Sequence, residues 1–422
     1  MKIKGFGKKV INKPIEGKTL TALDIGTENI KALIAKNNGG TLEIRGVGKQ
    51  HQRLSDMGNG AISDISGVVR NCEEALKVAE DMAGVNARQA VVGLAGELVK
   101  GKTTTVTYKR PNPKQNITMV ELEHIMQKIQ DRAMARAKAE LSWELGNDEV
   151  EVRLVNSAVV SIEIDGYKIT NPLGFSGGDV VISLFTAFAP LIHIAALEKV
   201  AEELDLDLVA VAAEPFAVAR GVTSVDEDTN FSAILIDVGG GTTDIAVVNE
   251  GGVEGAEMFN IGGRSFTHAI GSDLGMEFNI AEEYKIHASN GTLHSHQAEV
   301  EKSIQRTLEI WIGGVELALA EFDTVDHLPN QIMLCGGGSS LTQLVEALKN
   351  HEWPKELPFT KKPVIKHIKP EQVVDIIDKT KHITDHTFIT AMGLLRTGLD
   401  TIETDRAGKD KIRDRINKML KI

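Results

Sequence analysis

Three consecutive glycines interrupt an otherwise apolar stretch at residues 235–248. Apolar residues lead up to Asp237, glycines 239–241 follow, and two threonines and Asp244 precede a second apolar run. This pattern predicts two β-strands joined by a glycine turn. Glycine lets backbone N–H groups approach a ligand closely, and successive N–H groups in a turn bind anions. The stretch alone is equally consistent with a phosphate-binding turn and with an ordinary β-hairpin.

A second unit of the same kind lies near the start of the chain. Residues 20–25 predict a strand that contains Asp24 and runs into Gly26 and Thr27, and residues 30–35 predict its partner strand. The two units are separated by about half of the chain. A repeat at this spacing indicates an internal duplication with a cleft between two halves. It favours the phosphate-binding interpretation over an isolated hairpin.

The two carboxylates beside the glycine turn at 239–241, those of Asp237 and Asp244, predict a metal ion. A carboxylate does not bind a phosphate directly, so a cation is expected between them. Mg²⁺ keeps several of its waters and takes one or two carboxylates together with phosphate oxygens. The phosphate-binding interpretation of this turn therefore includes Mg²⁺.

Two further features fit a nucleotide cleft. The glycine run Gly336–Gly338 follows a predicted strand at 331–335 and precedes a predicted serine-capped helix at 341–349, which makes a third point of approach for an anion or a nucleotide. Glu214 stands at a strand end before a predicted helix that has Pro215 in its first turn. Glu214 could orient a water in the cleft, or it could simply favour the helix dipole.

Composition narrows the class of protein. A chain of 422 residues is expected to form two or more domains. Its two cysteines exclude a disulfide framework and indicate a reducing compartment. Few aromatic residues (4%) and a net charge of −12 argue against binding to nucleic acid. The N-terminus lacks the apolar region of a signal peptide, and polar residues interrupt the longest apolar stretch, 180–197, so we expect that stretch to be core.

Both ends of the chain are basic, although the body is acidic. Residues 1–13 contain five lysines and no acidic residue, and residues 409–422 contain six basic and two acidic residues. The second segment has an apolar helical face made of Ile412, Ile416, Met419 and Leu420. A basic amphipathic helix of this kind lies in a membrane interface, although one copy binds weakly and several copies side by side bind better. A helix docked on a partner or on the chain's own body is the alternative.

Together the three glycine motifs resemble those of the actin, Hsp70 and sugar-kinase superfamily: a first phosphate loop at 24–27, a second at 237–244 and an adenosine loop at 336–341. Within this superfamily the chain is similar to the bacterial FtsA cell-division proteins. The similarity extends over about residues 18–398 and includes the amphipathic segment 409–422. It implies an α/β fold of the actin-like ATPase type, with two duplicated ribonuclease-H-like halves around a nucleotide cleft and an inserted α+β module.

The resemblance also implies boundaries and site residues. The expected parts are a first half at 18–86, 181–222 and 385–398, an inserted SHS2-like interaction module at 87–180, a second half at 223–384 with a polar subdomain near 262–328, a linker at 399–408 and a membrane-targeting helix at 409–422. The implied ligands of ATP are Asp24, Gly26, Thr27, Asp237, Gly239, Gly240, Gly241, Thr242, Thr243, Glu282, Lys285, Gly336, Gly337, Gly338 and Ser339. The resemblance also implies that Asp24 and Asp237 hold Mg²⁺ through water. Glu214 falls where related actin homologues carry a water-orienting acid.

For function, the resemblance implies an ATP-binding protein that polymerises on the inner face of the cytoplasmic membrane. Such a protein tethers the FtsZ ring through the FtsZ C-terminal tail, recruits other membrane proteins of the division machinery, binds no nucleic acid and is at most a slow ATPase. Two residues depart from the usual pattern. Glu28 places a negative charge in the first phosphate loop, and Lys31, with the Glu214–Ala217 run, looks more like PilM, a cytoplasmic adaptor of type IV pilus assembly. A PilM-like peptide-binding adaptor and a small-molecule kinase are therefore the alternatives.

Overall fold

The computed structural model describes residues 19–406, apart from 59, 97, 224–230, 323–324 and 351. The basic segment 1–13 and the predicted membrane helix 409–422, with Ile412, Ile416, Met419 and Leu420, lie outside the described residues. Within the described part, no helix is long and apolar enough to span a membrane. The apolar stretch 180–197 belongs instead to a strand and a helix of the core.

The strands, in chain order, are β1 (Thr19–Ile25), β2 (Asn29–Asn38), β3 (Thr41–His51), β4 (Met57–Gly58), β5 (Ala61–Ile62), β6 (Gln89–Leu94), β7 (Lys100–Lys109), β8 (Val152–Ile164), β9 (Tyr167–Lys168), β10 (Asp179–Pro190), β11 (Asp207–Ala213), β12 (Ala233–Val238), β13 (Thr243–Asn249), β14 (Gly252–Phe259), β15 (Gln331–Cys335), β16 (Val364–His367) and β17 (Ile376–Asp378). The α-helices are α1 (Ile65–Ala83), α2 (Met119–Leu145), α3 (Leu191–Glu203), α4 (Glu214–Val222), α5 (Gly263–Leu274), α6 (Phe278–Ser289), α7 (Gln297–Ala320), α8 (Thr342–Lys349) and α9 (Ile389–Arg406).

The two halves repeat one sheet topology. In the first half, β1, β2 and β3 form an antiparallel meander, and β6 and then β11 add to the free side of β1 in parallel. In the second half, β12, β13 and β14 form the same meander, and β15 and then β16 add to β12 in parallel. This repeat confirms the predicted duplication, and it brings the β1–β2 turn and the β12–β13 turn to equivalent positions in the two halves.

The inserted module is an antiparallel layer covered by one long helix. Strand β10 pairs with β7 on one side and with β8 on the other, and α2 packs on this sheet through an apolar cluster that includes Leu122, Ile125 and Ile182. Thr118 caps α2 by accepting a hydrogen bond from the backbone N–H of Glu121. Two residue pairs between β7 and β14 join the module to the second-half sheet.

Non-local pairing moves several of the expected boundaries. Strand β6, expected in the module, pairs with β1 and β11, and β17, expected in the second half, pairs with β3. Strand β10 begins two residues before the expected boundary and pairs with β8 along its whole length. Helix α9 runs through to Arg406, so residues 399–406 of the expected linker are helical. Its apolar residues Leu399 and Ile402 are buried, which explains this extension.

Helices α4 and α9 lie against each other and both begin at the cleft. A Cβ atom on Gly393 of α9 would lie 2.3 Å from the carbonyl oxygen of Ala217 in α4, so only glycine fits at this crossing. Glu214 is the first residue of α4, and Thr390 lies in the first turn of α9. The close helix pair therefore presents one carboxyl and one hydroxyl group to the site described next.

Candidate functional site

A cavity of about 570 Å³ lies between the two halves. This volume is within the range of small-molecule and cofactor sites. Residues from both halves line it, and among the sequence-predicted ligands these are Asp24, Gly26, Thr27, Glu214, Asp237, Gly239, Gly240, Thr242, Glu282, Lys285, Gly336, Gly337 and Gly338.

The two phosphate-type turns contact each other across this cavity. A Cβ atom on Gly240 would lie 2.8 Å from the Cβ of Glu28, and one on Gly241 would lie 2.9 Å from Oγ1 of Thr27. The missing side chains let the two backbones meet, so the glycine run is required by close approach of the two halves as well as by any ligand. Gly241 therefore contacts the first turn and does not line the cavity.

Two predicted ligands are turned away from the cavity. The hydroxyl of Thr243 donates a hydrogen bond to the carbonyl oxygen of Ile261 at 2.6 Å and accepts one from the indole Nε1 of Trp311 at 2.9 Å. Ser339 is fully buried, and its hydroxyl donates to the carbonyl oxygen of Gly336 at 2.8 Å. Both side chains stabilise the loops that carry the site. Sequence alone does not distinguish these buried hydroxyls from exposed ones in the same motif.

The predicted serine cap of the third loop is absent from the structure. Residues 337–340 form a single 3₁₀ turn, and Leu341 occupies the N-cap position of α8. The backbone N–H of Thr342 donates instead to the hydroxyl of Ser289, at the end of α6. Gly336 has φ of +80°, and a Cβ atom there would lie 2.0 Å from Oδ1 of Asp237, so this loop packs directly on the second phosphate turn.

Four buried carboxyl groups line the cavity together with the ammonium group of Lys31. They belong to Asp24, Glu214, Asp237 and Asp244. Lys31, opposite Asp24 in the β1–β2 hairpin, donates to Oδ2 of Asp24 at 2.8 Å. Burial would lower the pKa of Lys31, but the carboxylates of Asp24, Asp237 and Glu214 outweigh it and raise that pKa. Lys31 therefore remains a fixed positive charge among the acidic groups.

Burial raises the pKa values of the Glu214, Asp237 and Asp244 carboxyl groups. It raises the pKa of Asp237, and Thr390, which donates a hydrogen bond to Asp237, offsets part of this effect. Burial, followed by repulsion from neighbouring carboxylates, raises the pKa values of Glu214 and Asp244 well above their ordinary range. Oδ1 of Asp244 is buried and has no hydrogen-bond partner among the described residues. The cluster can accept further positive charge.

Protein side chains alone would not complete the expected Mg²⁺ site. Asp24 and Asp237 line the same cavity, as predicted. In the described part of the chain, no group of three or more His, Cys, Asp or Glu side chains is arranged to hold a metal ion. A Mg²⁺ ion between Asp24 and Asp237 would therefore take most of its ligands from water and from phosphate, which is its usual habit.

The opposite wall of the cavity is organised around Lys285. Its ammonium group donates to the carbonyl oxygen of Gly263 at 3.0 Å, to Oγ1 of Thr267 at 2.9 Å and to Oε2 of Glu282 at 2.7 Å. These bonds tie α6 to the start of α5. They place the predicted Glu282–Lys285 pair at the edge of the cavity together with Gly336–Gly338.

One residue that lines the cavity was not predicted from the sequence. Arg264, in the first turn of α5, lines the cavity and binds Oε2 of Glu28 through Nε at 2.6 Å. The two partners are far apart in the chain, so neither helical nor strand periodicity could pair them. The only available signals were an acid in the first phosphate loop and an arginine directly after a glycine pair.

Two protein-family models match parts of the chain. The family model for the cell division protein FtsA matches residues 234–393, and the model for the MreB/Mbl proteins matches residues 168–288. The first match contains the second phosphate turn, the Glu282–Lys285 pair and the third glycine loop. Over these residues the chain is similar to FtsA and to the MreB/Mbl proteins.

Individual FtsA proteins are also similar to the chain in sequence. FtsA of Pseudomonas aeruginosa is 26% identical over 276 residues, which cover 64% of this chain and 61% of that protein. FtsA of Streptococcus pneumoniae is 24% identical over 348 residues, which cover 77% of this chain and 72% of that protein. The match to the Pseudomonas protein thus spans only about three fifths of that relative's length.

A solved structure shows the same fold. The PilM–PilN type IV pilus biogenesis complex superposes with a TM-score of 0.66 at 16% identity, covering 92% of this chain and 99% of the PilM–PilN chain. This match confirms the actin-like architecture predicted from the three glycine motifs. At this identity the similarity concerns the fold alone.

Replacement of Glu214 by glutamine should stabilise the fold at neutral pH. Because the folded-state pKa of Glu214 is raised, its ionised form opposes folding once the pH exceeds the ordinary value of 4.5, and the neutral amide removes that cost. At about pH 8 the variant should have a higher free energy of unfolding than the wild type, and this gain should vanish as the pH falls towards 4.5. Urea titrations across this range measure it. Glu283→Gln, on the exposed face of α6, is the control, and a pH-independent difference for Glu214→Gln would contradict the assignment.

Proposed function

We propose that this FtsA-like chain binds ATP with Mg²⁺ in the cleft and acts as a scaffold of cell division at the inner face of the cytoplasmic membrane. The observation that carries the proposal is the meeting of two Asp–x–Gly turns, one from each half, on a common cavity closed by a third glycine loop. A ligand that contacts all three loops bridges the two halves.

The residues present fit such a ligand. Backbone N–H groups of the two turns would cradle the phosphates. Asp24 and Asp237 would hold Mg²⁺ through water, where the ion would neutralise phosphate charge. Lys285 and Glu282, with Gly336–Gly338, would contact the nucleoside. The buried, unpartnered Oδ1 of Asp244 and Nη2 of Arg264 are polar atoms that a charged ligand and its waters would satisfy.

Slow hydrolysis is carried over from the FtsA resemblance. Glu214 lines the cavity and is the candidate for orienting a water there. We propose that bound ATP mainly sets the relation between the halves, and that turnover is slow.

The remaining parts of the proposal concern partners. Self-association into filaments, contact with the FtsZ C-terminal tail and recruitment of other division proteins are carried over from the FtsA resemblance, and segment 409–422 would provide the membrane contact. The alternative, a PilM-like adaptor that binds a short peptide of a membrane protein, is suggested by Lys31 and by the Glu214–Ala217 sequence. The adaptor does not require segment 409–422.

Loss of one acidic ligand tests the nucleotide site. Asp237→Ala should weaken binding of Mg-ATP by at least about 100-fold, because it removes a buried charged group that positions the metal. Isothermal titration calorimetry on the folded variant measures this. Asp273→Ala is the matched control, since Asp273 is exposed and forms its ion pair with Arg306 outside the cavity. Retained affinity in Asp237→Ala would refute the assigned site.

Vesicle sedimentation tests the membrane contact. The full chain should pellet with vesicles that contain anionic lipid, and a chain ending at residue 408 should remain in the supernatant, because it has lost the basic amphipathic segment. This truncation leaves α9, which ends at Arg406, intact. Neutral vesicles provide the control for the electrostatic contribution. Equal pelleting of the two chains would contradict the membrane proposal and favour the adaptor.

A further inference from the structure

We propose that Arg264 is a phosphate-binding arm that Glu28 holds when no nucleotide is bound, so that the pair forms an exchangeable latch between the two halves. This inference rests on the proposed binding of ATP in the cleft. It assigns a role to two residues that are not among the predicted ligands of ATP, and it predicts that they act on affinity in opposite directions.

The latch crosses the cleft at the point where the two turns meet. Glu28 belongs to the β1–β2 turn of the first half, and Arg264 belongs to the first turn of α5 in the second half. Nε of Arg264 lies 2.6 Å from Oε2 of Glu28. The backbone N–H of Arg264 donates to the carbonyl oxygen of Gly240 at 2.8 Å, and Gly240 itself lies against Glu28. The ion pair and the loop contact are therefore one unit.

The guanidinium group of Arg264 is only partly used by Glu28. The side chain of Arg264 is 9% exposed, and its Nη2 is buried without a hydrogen-bond partner among the described residues. The other carboxylate oxygen of Glu28, Oε1, faces Nδ1 of His51 at 3.3 Å. Arginine has a planar fork of donors that suits bidentate contact with phosphate. Arg264 lines the cavity, but Nη2 itself is buried, so a phosphate reaches this donor only when the side chain turns towards the cavity.

The neighbouring cations have other partners. Lys31 is bound to Asp24, and Lys285 is bound to Glu282, Thr267 and Gly263. Arg264 differs from these two lysines because one of its nitrogen atoms, Nη2, is buried with no hydrogen-bond partner among the described residues. The carboxylate of Glu28 occupies part of its fork and also repels a phosphate that approaches the turns. Binding of a phosphate must share Arg264 with Glu28 or displace Glu28 from it.

These contacts give a prediction that an ordinary structural ion pair does not share. If Glu28 competes with phosphate for Arg264, loss of the carboxylate should strengthen binding, and loss of the guanidinium should weaken it. If the pair only braces the closed cleft, loss of either partner should loosen the cleft and weaken binding alike. The sign of the Glu28 effect therefore separates the two roles.

The test compares Glu28→Gln, Arg264→Gln and the double variant by calorimetry with Mg-ATP, Mg-ADP and adenosine. Glu28→Gln should bind Mg-ATP about 3- to 10-fold more tightly, and Arg264→Gln should bind it about 10- to 100-fold more weakly, the range of one charge-assisted hydrogen bond. In the double variant the gain from Glu28→Gln should disappear, because no guanidinium remains to be released. Adenosine, which has no phosphate, should bind all variants equally.

Two control variants separate a loss of binding from a loss of folding. Arg306→Gln breaks an exposed ion pair with Asp273 on the same half and should leave all three affinities unchanged. Arg264→Lys keeps the charge but loses the fork, so its affinity for Mg-ATP should lie between those of the wild type and Arg264→Gln. Circular dichroism establishes that each variant is folded before titration.

The outcomes are distinguishable. If the wild-type chain binds no Mg-ATP, both the proposed function and the latch fail. If the wild type binds Mg-ATP and Glu28→Gln weakens binding or leaves it unchanged, the latch alone is overturned. Equal effects of Arg264→Gln on adenosine and on Mg-ATP would also overturn it, because the arm would then not act through phosphate.

Discussion

Crowding of like charges at the base of the cleft is the constraint on which the rest of the structure depends. Asp24, Asp237, Asp244 and Glu214 are all buried there, and Lys31 supplies a compensating positive charge among them. Such a cluster opposes folding unless protons, cations or donors offset it. The fold supplies Lys31 and Thr390, and it leaves room for more positive charge. A metal ion bound together with phosphate would supply such charge.

The duplicated topology brings these groups together. Each half ends its first strand with an aspartate before a tight turn, and each turn reaches the same cavity because the two sheets have equivalent strand orders. Glycines at 240 and 241 remove the side chains that would keep the turns apart. Helices α4 and α9 then begin at the cavity and cross closely at Gly393.

Much of this arrangement could be predicted from the sequence, because its signals are local. Apolar runs and glycine turns located β1, β2, β12 and β13, and the repeat of the Asp–x–Gly unit predicted two halves around a cleft. The errors arose where distant residues decide. Parallel pairing of β6 and β17 with first-half strands leaves no local trace, and the inward orientation of Thr243 depends on Trp311, which lies on α7. The Glu28–Arg264 pair joins two halves and was invisible for the same reason.

The central claim, that one nucleotide bridges both phosphate turns, is tested most directly by hydrogen–deuterium exchange of the full chain with and without Mg-ATP. If one nucleotide holds all three loops, the backbone amides of residues 24–31, 237–244 and 336–341 should all exchange more slowly when Mg-ATP is bound. Slower exchange in only one half, or unchanged exchange in both turns at saturating Mg-ATP, would contradict it.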